Sequence, residues 1–204
     1  MQDIELEQAI EVLLAHTARV AETERIPLID ALGRVAAEEV RAGFDNPPFD
    51  RSPLDGYTFA AASTRDASAE HPVTLRLVGE ECAGEFFTGT VGAGECVRIM
   101  TGGAIPKGCD CVVRQEDVQE DGARIHVPFT SKSYENYCYA GEDIKKNTVL
   151  IRQGQRIRAA HLAVLASEGY GDVLVHRRVR VAVASTGDEL LQPGEPLRPG
   201  KIYN

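Results

Sequence analysis

The sequence predicts a multi-domain α+β chain: a mainly helical unit interrupted by a small inserted β-barrel-like domain, followed by the start of an α/β unit. Three observations carry this prediction. Apolar residues recur at three- and four-residue spacing near the N-terminus, and a second apolar-faced helical run lies at 159–167. Short alternating or β-branched runs, separated by Gly and Pro, fill 57–140. An apolar run at 179–184 ends in Ser-Thr-Gly, the pattern of a strand entering the first turn of an open α/β sheet. The expected units are 1–44 plus 141–177 (helical and linker), 45–140 (inserted β domain) and 178–204 (α/β).

The elements follow in order. Residues 4–17 form an amphipathic helix with Leu6, Ile10, Leu13 and Leu14 on one side and Asp3 as its N-cap. A second helical turn starts near Asp30 and ends at Gly33 and Arg34, and 36–42 leads into a proline-rich loop, Phe44 to Tyr57. Val73–Val78, Cys96–Ile99, Cys111–Val113 and Arg124–Val127 read as strands of an antiparallel sheet. Ala159–Ser167 is a helix stopped by Gly169. Asp172–Val175 and Val179–Ala184 are strands, the second buried and followed by a turn and helix start at Ser185–Leu190. The chain stops at Asn204 before another strand of that unit, so the α/β domain is expected to be incomplete.

Composition excludes several function classes. The 204 residues are 43% hydrophobic and 26% charged, enough apolar material for a core without disulfides or metals. No apolar run approaches the roughly 18 residues of a membrane span, and the first seven residues carry acid where a signal peptide carries base. A cytoplasmic location without membrane contact is expected. A net charge of −9 without a basic stripe argues against nucleic acid as a partner. The five cysteines (Cys82, Cys96, Cys109, Cys111 and Cys138) have no CxxC pair and read as reduced, mostly buried thiols, with Cys109 and Cys111 on one face of a strand. The five histidines have no ligand spacing, and His161 reads as a surface or packing residue.

Four segments carry residue types suited to chemistry. Asp45 to Tyr57 holds carboxylates at Asp45, Asp50 and Asp55 in a loop stiffened by Pro47, Pro48 and Pro53, with Gly56 allowing a sharp turn. Stiff loops fix carboxylates in place, although Asp and Pro are also common turn residues. Arg98 to Gly108 includes Thr101, Gly102 and Gly103, whose N–H groups could face an anion, with Lys107 or Arg98 supplying charge; an ordinary β-turn reads the same way. Glu142 and Asp143 could ligate a hard cation such as Mg²⁺ or simply be solvated. Ser185, Thr186 and Gly187 suit phosphate, while Asp188 or Glu189 could hold a metal or a ring nitrogen; the alternative makes Ser185 or Thr186 an N-cap.

The order of these segments resembles one family, the MoeA-type molybdopterin molybdenumtransferases, whose animal relative is the E domain of gephyrin. The matching stretches are Pro47–Tyr57, Arg98–Pro106, Gln115-Glu116, Gly141–Ile144, Ser185–Leu190 and Gly200–Tyr203. The resemblance implies an elongated homodimer in which a molybdopterin-binding α/β domain follows the inserted β domain, with the active site in a cleft at the dimer interface. It implies insertion of molybdate into adenylylated molybdopterin with release of AMP, assisted by Mg²⁺, and the molybdopterin adenylyltransferase as a further partner. By this likeness Asp55, Thr101, Asp143 and Glu189 match active-site positions. Asp55, Asp143 and Glu189 would serve as metal ligands; Gly102, Ser185, Thr186, Gly187 and Asp188 would contact substrate. The chain departs from the family pattern at Pro53 and Leu54, where relatives carry a small residue and Met. The family's later acidic residues and last domain are absent, which puts the pterin pocket and activity in isolation in doubt. Other readings are a scaffold or dimerisation module and a non-catalytic molybdopterin carrier.

Overall fold

Two separate apolar clusters organise the chain. A computed structural model describes residues 4–81, 84 and 86–204; the expected N-cap Asp3 and Cys82 lie outside the described residues. One cluster gathers Leu28, Ala31, Val40, Ile151, Leu165, Val173 and Val175. The other gathers Tyr57, Phe59, Leu75, Cys96, Cys111, Val113, Ile125 and Val127.

The first cluster is not the helical unit that the sequence predicts. Its frame is two short antiparallel pairs: β1 (Thr23–Pro27) with β10 (Asp172–His176), and β2 (Val40–Arg41) with β9 (Val149–Ile151). Against them packs one helix, α2 (Ala159–Ser167), through the fully buried Leu165. The α2 boundaries agree with the sequence reading, which rested on Gly169; the structure adds a mark at the other end. The Arg158 N–H donates to His161 Nδ1 at 3.0 Å at the start, so His161 serves as a cap. Gly169 at φ +80° ends the helix, with Gly169 N–H donating to Ala166 O and Tyr170 N–H to Leu165 O, both at 3.0 Å. The expected turn at 30–34 is instead a 3₁₀ turn over Leu28–Asp30.

The N-terminal helix α1 (Leu6–Ala15) forms, but none of its residues is buried. Its stripe of Leu6, Ile10, Leu13 and Leu14 faces solvent. Periodicity identified the helix; it did not identify what the helix packs on.

The second cluster lies in a curled six-stranded sheet of order β6-β3-β5-β4-β8-β7. Its strands are β3 (Gly56–Phe59), β4 (Val73–Glu81), β5 (Glu95–Ile99), β6 (Cys111–Arg114), β7 (Gln119–Asp121) and β8 (Arg124–Val127). Side chains two apart share a face, which puts Tyr57 with Phe59, Cys111 with Val113 and Ile125 with Val127 in one core. Two expectations are corrected. The sheet is mixed, because β4 runs parallel to β5, and it is not closed into a barrel, since β6 and β7 are not hydrogen-bonded to each other. Cys109 also precedes β6 rather than sharing its face with Cys111.

The expected buried strand at Val179–Ala184 does not form. Val179, Val181 and Val183 are 70%, 77% and 89% exposed, because no described strand pairs with them. Nor does a helix start at Ser185–Leu190; a turn leads to β11 (Leu190–Leu191), which pairs in parallel with β12 (Ile202–Tyr203). Among the described residues no helix is long and apolar enough to cross a membrane.

Gly56 has a different job from the one its sequence context suggests. It opens β3 rather than turning the chain, and a Cβ there would lie 1.8 Å from Val113 O on β6. Only glycine permits that approach. Gly56→Ala is therefore expected to lower stability by about 2 kcal/mol or more. Gly43→Ala, where a Cβ meets nothing within 4 Å, should leave it unchanged. Denaturant midpoints of the two variants check this.

Candidate functional site

The loop 45–55 is hydrogen-bonded along both edges by the two other motif segments. On one edge, Ser52 N–H donates to Gly103 O at 2.9 Å, Gly102 N–H to Ser52 O at 2.8 Å and Ile105 N–H to Asp50 O at 2.9 Å. On the other, Arg51 and Cys138 exchange backbone bonds of 2.9 and 3.1 Å, and Asn46 O accepts the N–H groups of Asp143 and Ile144 at 3.1 and 3.0 Å. Three of the four sequence motifs thus form one structure.

The loop's three carboxylates divide by role. Asp45 Oδ1 accepts Lys146 N–H at 2.8 Å. Asp50 accepts Ala140 N–H at 2.8 Å and the Tyr137 hydroxyl at 2.6 Å. Both tie the loop to 137–146 through charge-assisted hydrogen bonds. Asp55 instead turns to the other edge, where one oxygen, Oδ1, accepts both the N–H and the hydroxyl of Thr101 at 2.7 Å each. Its other oxygen accepts no hydrogen bond among the described residues. The Thr101 N–H, then its hydroxyl, hold the Asp55 carboxyl below its ordinary range; burial opposes them, and the charge of Arg98 lowers it least.

The expected anion nest at 101–103 is corrected by the same bonds. Thr101 N–H is taken by Asp55, Gly102 N–H by Ser52 O and Gly103 N–H by Met100 O. The turn uses its donors to hold the loop and offers none of these three to a substrate oxyanion. The fourth motif is not part of this structure. Ser185, Thr186, Gly187, Asp188 and Glu189 are all exposed, and the Glu189 carboxylate packs on Gly187 so closely that a Cβ would lie 2.5 Å from both its oxygens.

Asp143 reaches Arg51 at 3.6 Å, a half-exposed pair worth little in stability. Among the described residues no group of three or more His, Cys, Asp or Glu could hold a metal ion. Asp55, Asp143 and Glu189 do not form such a group among the described residues; Glu189 immediately precedes β11.

Sequence reasoning missed four participants. Arg51, Tyr137 and Cys138 gave no signal in the spacing, yet all three touch the loop or its edge. Glu168, only 5% exposed, accepts Asn46 Nδ2 at 3.3 Å and so braces the residue that positions Asp143. Cys138 sits beside the site although the cysteines read as remote from it. Burial first, then a hydrogen bond to Glu142, pushes its thiol upward, away from nucleophilic thiolate. Burial likewise pushes Cys96 and Cys111 to about 12 and Cys109 to about 11.

Comparison with known proteins now bears on this site. The family described as "MoeA N-terminal region (domain I and II)" matches residues 4–169. The molybdopterin molybdenumtransferase of Bacillus subtilis is 38% identical over 195 residues, 94% of this chain and 45% of that protein. The Haemophilus influenzae protein of the same name is 37% identical over 201 residues, 98% of this chain and 48% of that one. The crystal structure of the molybdopterin biosynthesis MoeA protein from Pyrococcus horikoshii superposes with a TM-score of 0.86 at 35% identity, covering 97% of this chain and 52% of that one. The chain spans about half the length of the curated relatives it matches. By its sequence over residues 4–169, and by the fold that carries those residues, the chain belongs to the MoeA N-terminal family.

Proposed function

We propose that this chain supplies one wall of a molybdopterin molybdenumtransferase active site, in which molybdate enters adenylylated molybdopterin and AMP leaves. The carrying observation is the doubly clamped loop that places Asp55 on Thr101 and Asp143 on Arg51. The relatives' printed names supply the reaction class. A cytoplasmic setting and a transient partner that delivers the adenylylated pterin go with this reading.

The chemistry joins two anions, so charge must be compensated where they meet. Arg51 supplies charge beside Asp143 through their ion pair, and Arg98 acts on Asp55 at longer range. Mg²⁺ usually keeps several waters and takes one or two carboxylates plus substrate phosphate. The described residues do not form a protein-only cage for it. Asp55, with one oxygen unused, and Asp143 are the ligands the chain offers to a cation arriving with phosphate, and that cation would offset charge on the departing nucleotide. No protein nucleophile is required, and the raised cysteine thiols are poorly suited to be one.

The rigid placement of an ionised Asp55 gives two expectations. In the complete polypeptide carrying these residues, Asp55→Asn should lower molybdate-dependent AMP release by about 10²-fold or more. Unchanged release would remove Asp55 from the mechanism. Thr101→Val deletes the hydroxyl bond, so the Asp55 carboxyl should titrate nearer its ordinary range, as read from its ¹³C shift. The sign follows from the depressed pKa: any stability from ionised Asp55 is present above the ordinary carboxylate range and is lost as pH falls through the lowered value.

Self-association is the second proposal, supported by the exposed stripe of α1. A helix this apolar on one face buries it against something, and a second copy fits the homodimer implied by the family. Leu13→Glu with Leu14→Glu should convert a dimer to a monomer by light scattering. A wild-type monomer at micromolar concentration would contradict it.

A further inference from the structure

Three of the chain's six tyrosines fall within six consecutive residues, at Tyr134, Tyr137 and Tyr139, and their rings touch one another. Centroid separations are 5.3 Å for Tyr134–Tyr137, 5.7 Å for Tyr134–Tyr139 and 5.0 Å for Tyr137–Tyr139. The three differ in how they are held. Tyr137 is anchored, its hydroxyl donating to Asp50 in the clamped loop. Burial, then that hydrogen bond, raises its hydroxyl above the ordinary range, so it stays a protonated donor.

Tyr134 and Tyr139 are instead 57% and 47% exposed. Their planes tilt by only 37°, giving a shelf rather than a T-shaped knot. Tyr134 also adopts φ +65°, a conformation costly for a bulky side chain and found where function demands it. The fold therefore keeps a strained residue in place with its ring in water.

The surroundings of the shelf say what it could bind. Tyr139 and Glu142 exchange hydrogen bonds, so the shelf runs directly into the turn bearing Asp143. Cys138, between two of the tyrosines, is backbone-paired with Arg51, whose guanidinium reaches Asp143. An aromatic shelf beside a partly exposed guanidinium matches a planar heteroaromatic ring that carries a phosphate. Stacking of such rings on tyrosine does not depend on a particular hydrogen-bond pattern, because every such ring has a π-face.

We propose that Tyr134 and Tyr139 form a stacking subsite for a heteroaromatic ring of a phosphate-bearing ligand, with Tyr137 and Asp50 fixing the shelf. The identity of the ring rests on the transferase reading, whose substrate contains both a pterin and an adenine.

The test is equilibrium binding of AMP, and separately of a free pterin, to the complete polypeptide without molybdate, followed by ligand-observed NMR. At least one ring should bind, and the preferred one identifies the source. The Tyr134→Ala, Tyr139→Ala double variant should weaken that binding about ten-fold or more, with an unchanged melting temperature. Tyr139→Phe, which keeps the ring and loses the hydroxyl, should bind as the wild type does. Failure of both rings to bind, or undiminished binding by the alanine variant, overturns the proposal. Ring binding and molybdate-dependent AMP release are measured separately, so the two readings fail separately: ring binding without AMP release sinks the transferase, and ring binding undiminished in the alanine variant sinks the shelf.

Discussion

Residues 46–55 belong to no strand, yet backbone hydrogen bonds run along both of their edges, and the arrangement of the candidate site depends on this double clamp. A loop in that position would ordinarily be mobile, because few of its groups have fixed partners. Here the proline residues narrow the backbone's freedom, and Asp45 and Asp50 replace missing ladder partners with charge-assisted bonds to 140 and 146. The sheet supplies one jaw through the Met100–Ala104 turn at the end of β5, and the strand-like stretch 137–144 supplies the other. Glu168, at the end of α2, reaches the loop from the first apolar cluster through Asn46.

This arrangement explains why the backbone donors of the turn at 101–103 are not a phosphate nest. Donors that hold a loop rigid cannot also face a ligand, and in this chain they hold the loop. What the clamp leaves available is one oxygen of Asp55, the Arg51–Asp143 pair and the aromatic surface beside it. Such a wall is acidic and aromatic with two guanidinium groups at its margin. It suits a ligand that brings flat rings and a phosphate bridged to the carboxylates by a cation.

The sequence was most legible where one residue type has one use. The C-terminal end of α2 was readable because Gly169 is a local signal, whereas His161 was read as a surface or packing residue and its cap was not seen; β8 was readable from its alternation and β5 from its β-branched residues. β3 was hidden because Tyr57–Phe59 follows a proline-rich loop and is buried on both faces, which removes alternation. β7, Gln119–Asp121, is an exposed polar edge strand and carries no apolar pattern at all. The run at 179–184 has the alternation of a strand, but pairing needs a neighbour, and no described strand lies beside it. α1 is the helical counterpart: the 3.6-residue period is real and its packing face is exposed.

For the site, residue type and order found Asp55, Thr101 and Asp143, and the fold brings their segments onto one loop. Partners were not legible, because the bonds from Thr101 to Asp55, from Tyr137 to Asp50 and from Asn46 to Glu168 join residues 46, 87 and 122 positions apart. The central claim is that the clamp makes Asp55 and Asp143 parts of one working unit. Molybdate-dependent AMP release by Asp55→Asn, Asp143→Asn and the double variant of the complete polypeptide tests this most directly. One unit predicts a double variant no slower than the worse single variant. Losses that multiply would mean that the two carboxylates act independently, and the account of a single clamped site would be wrong.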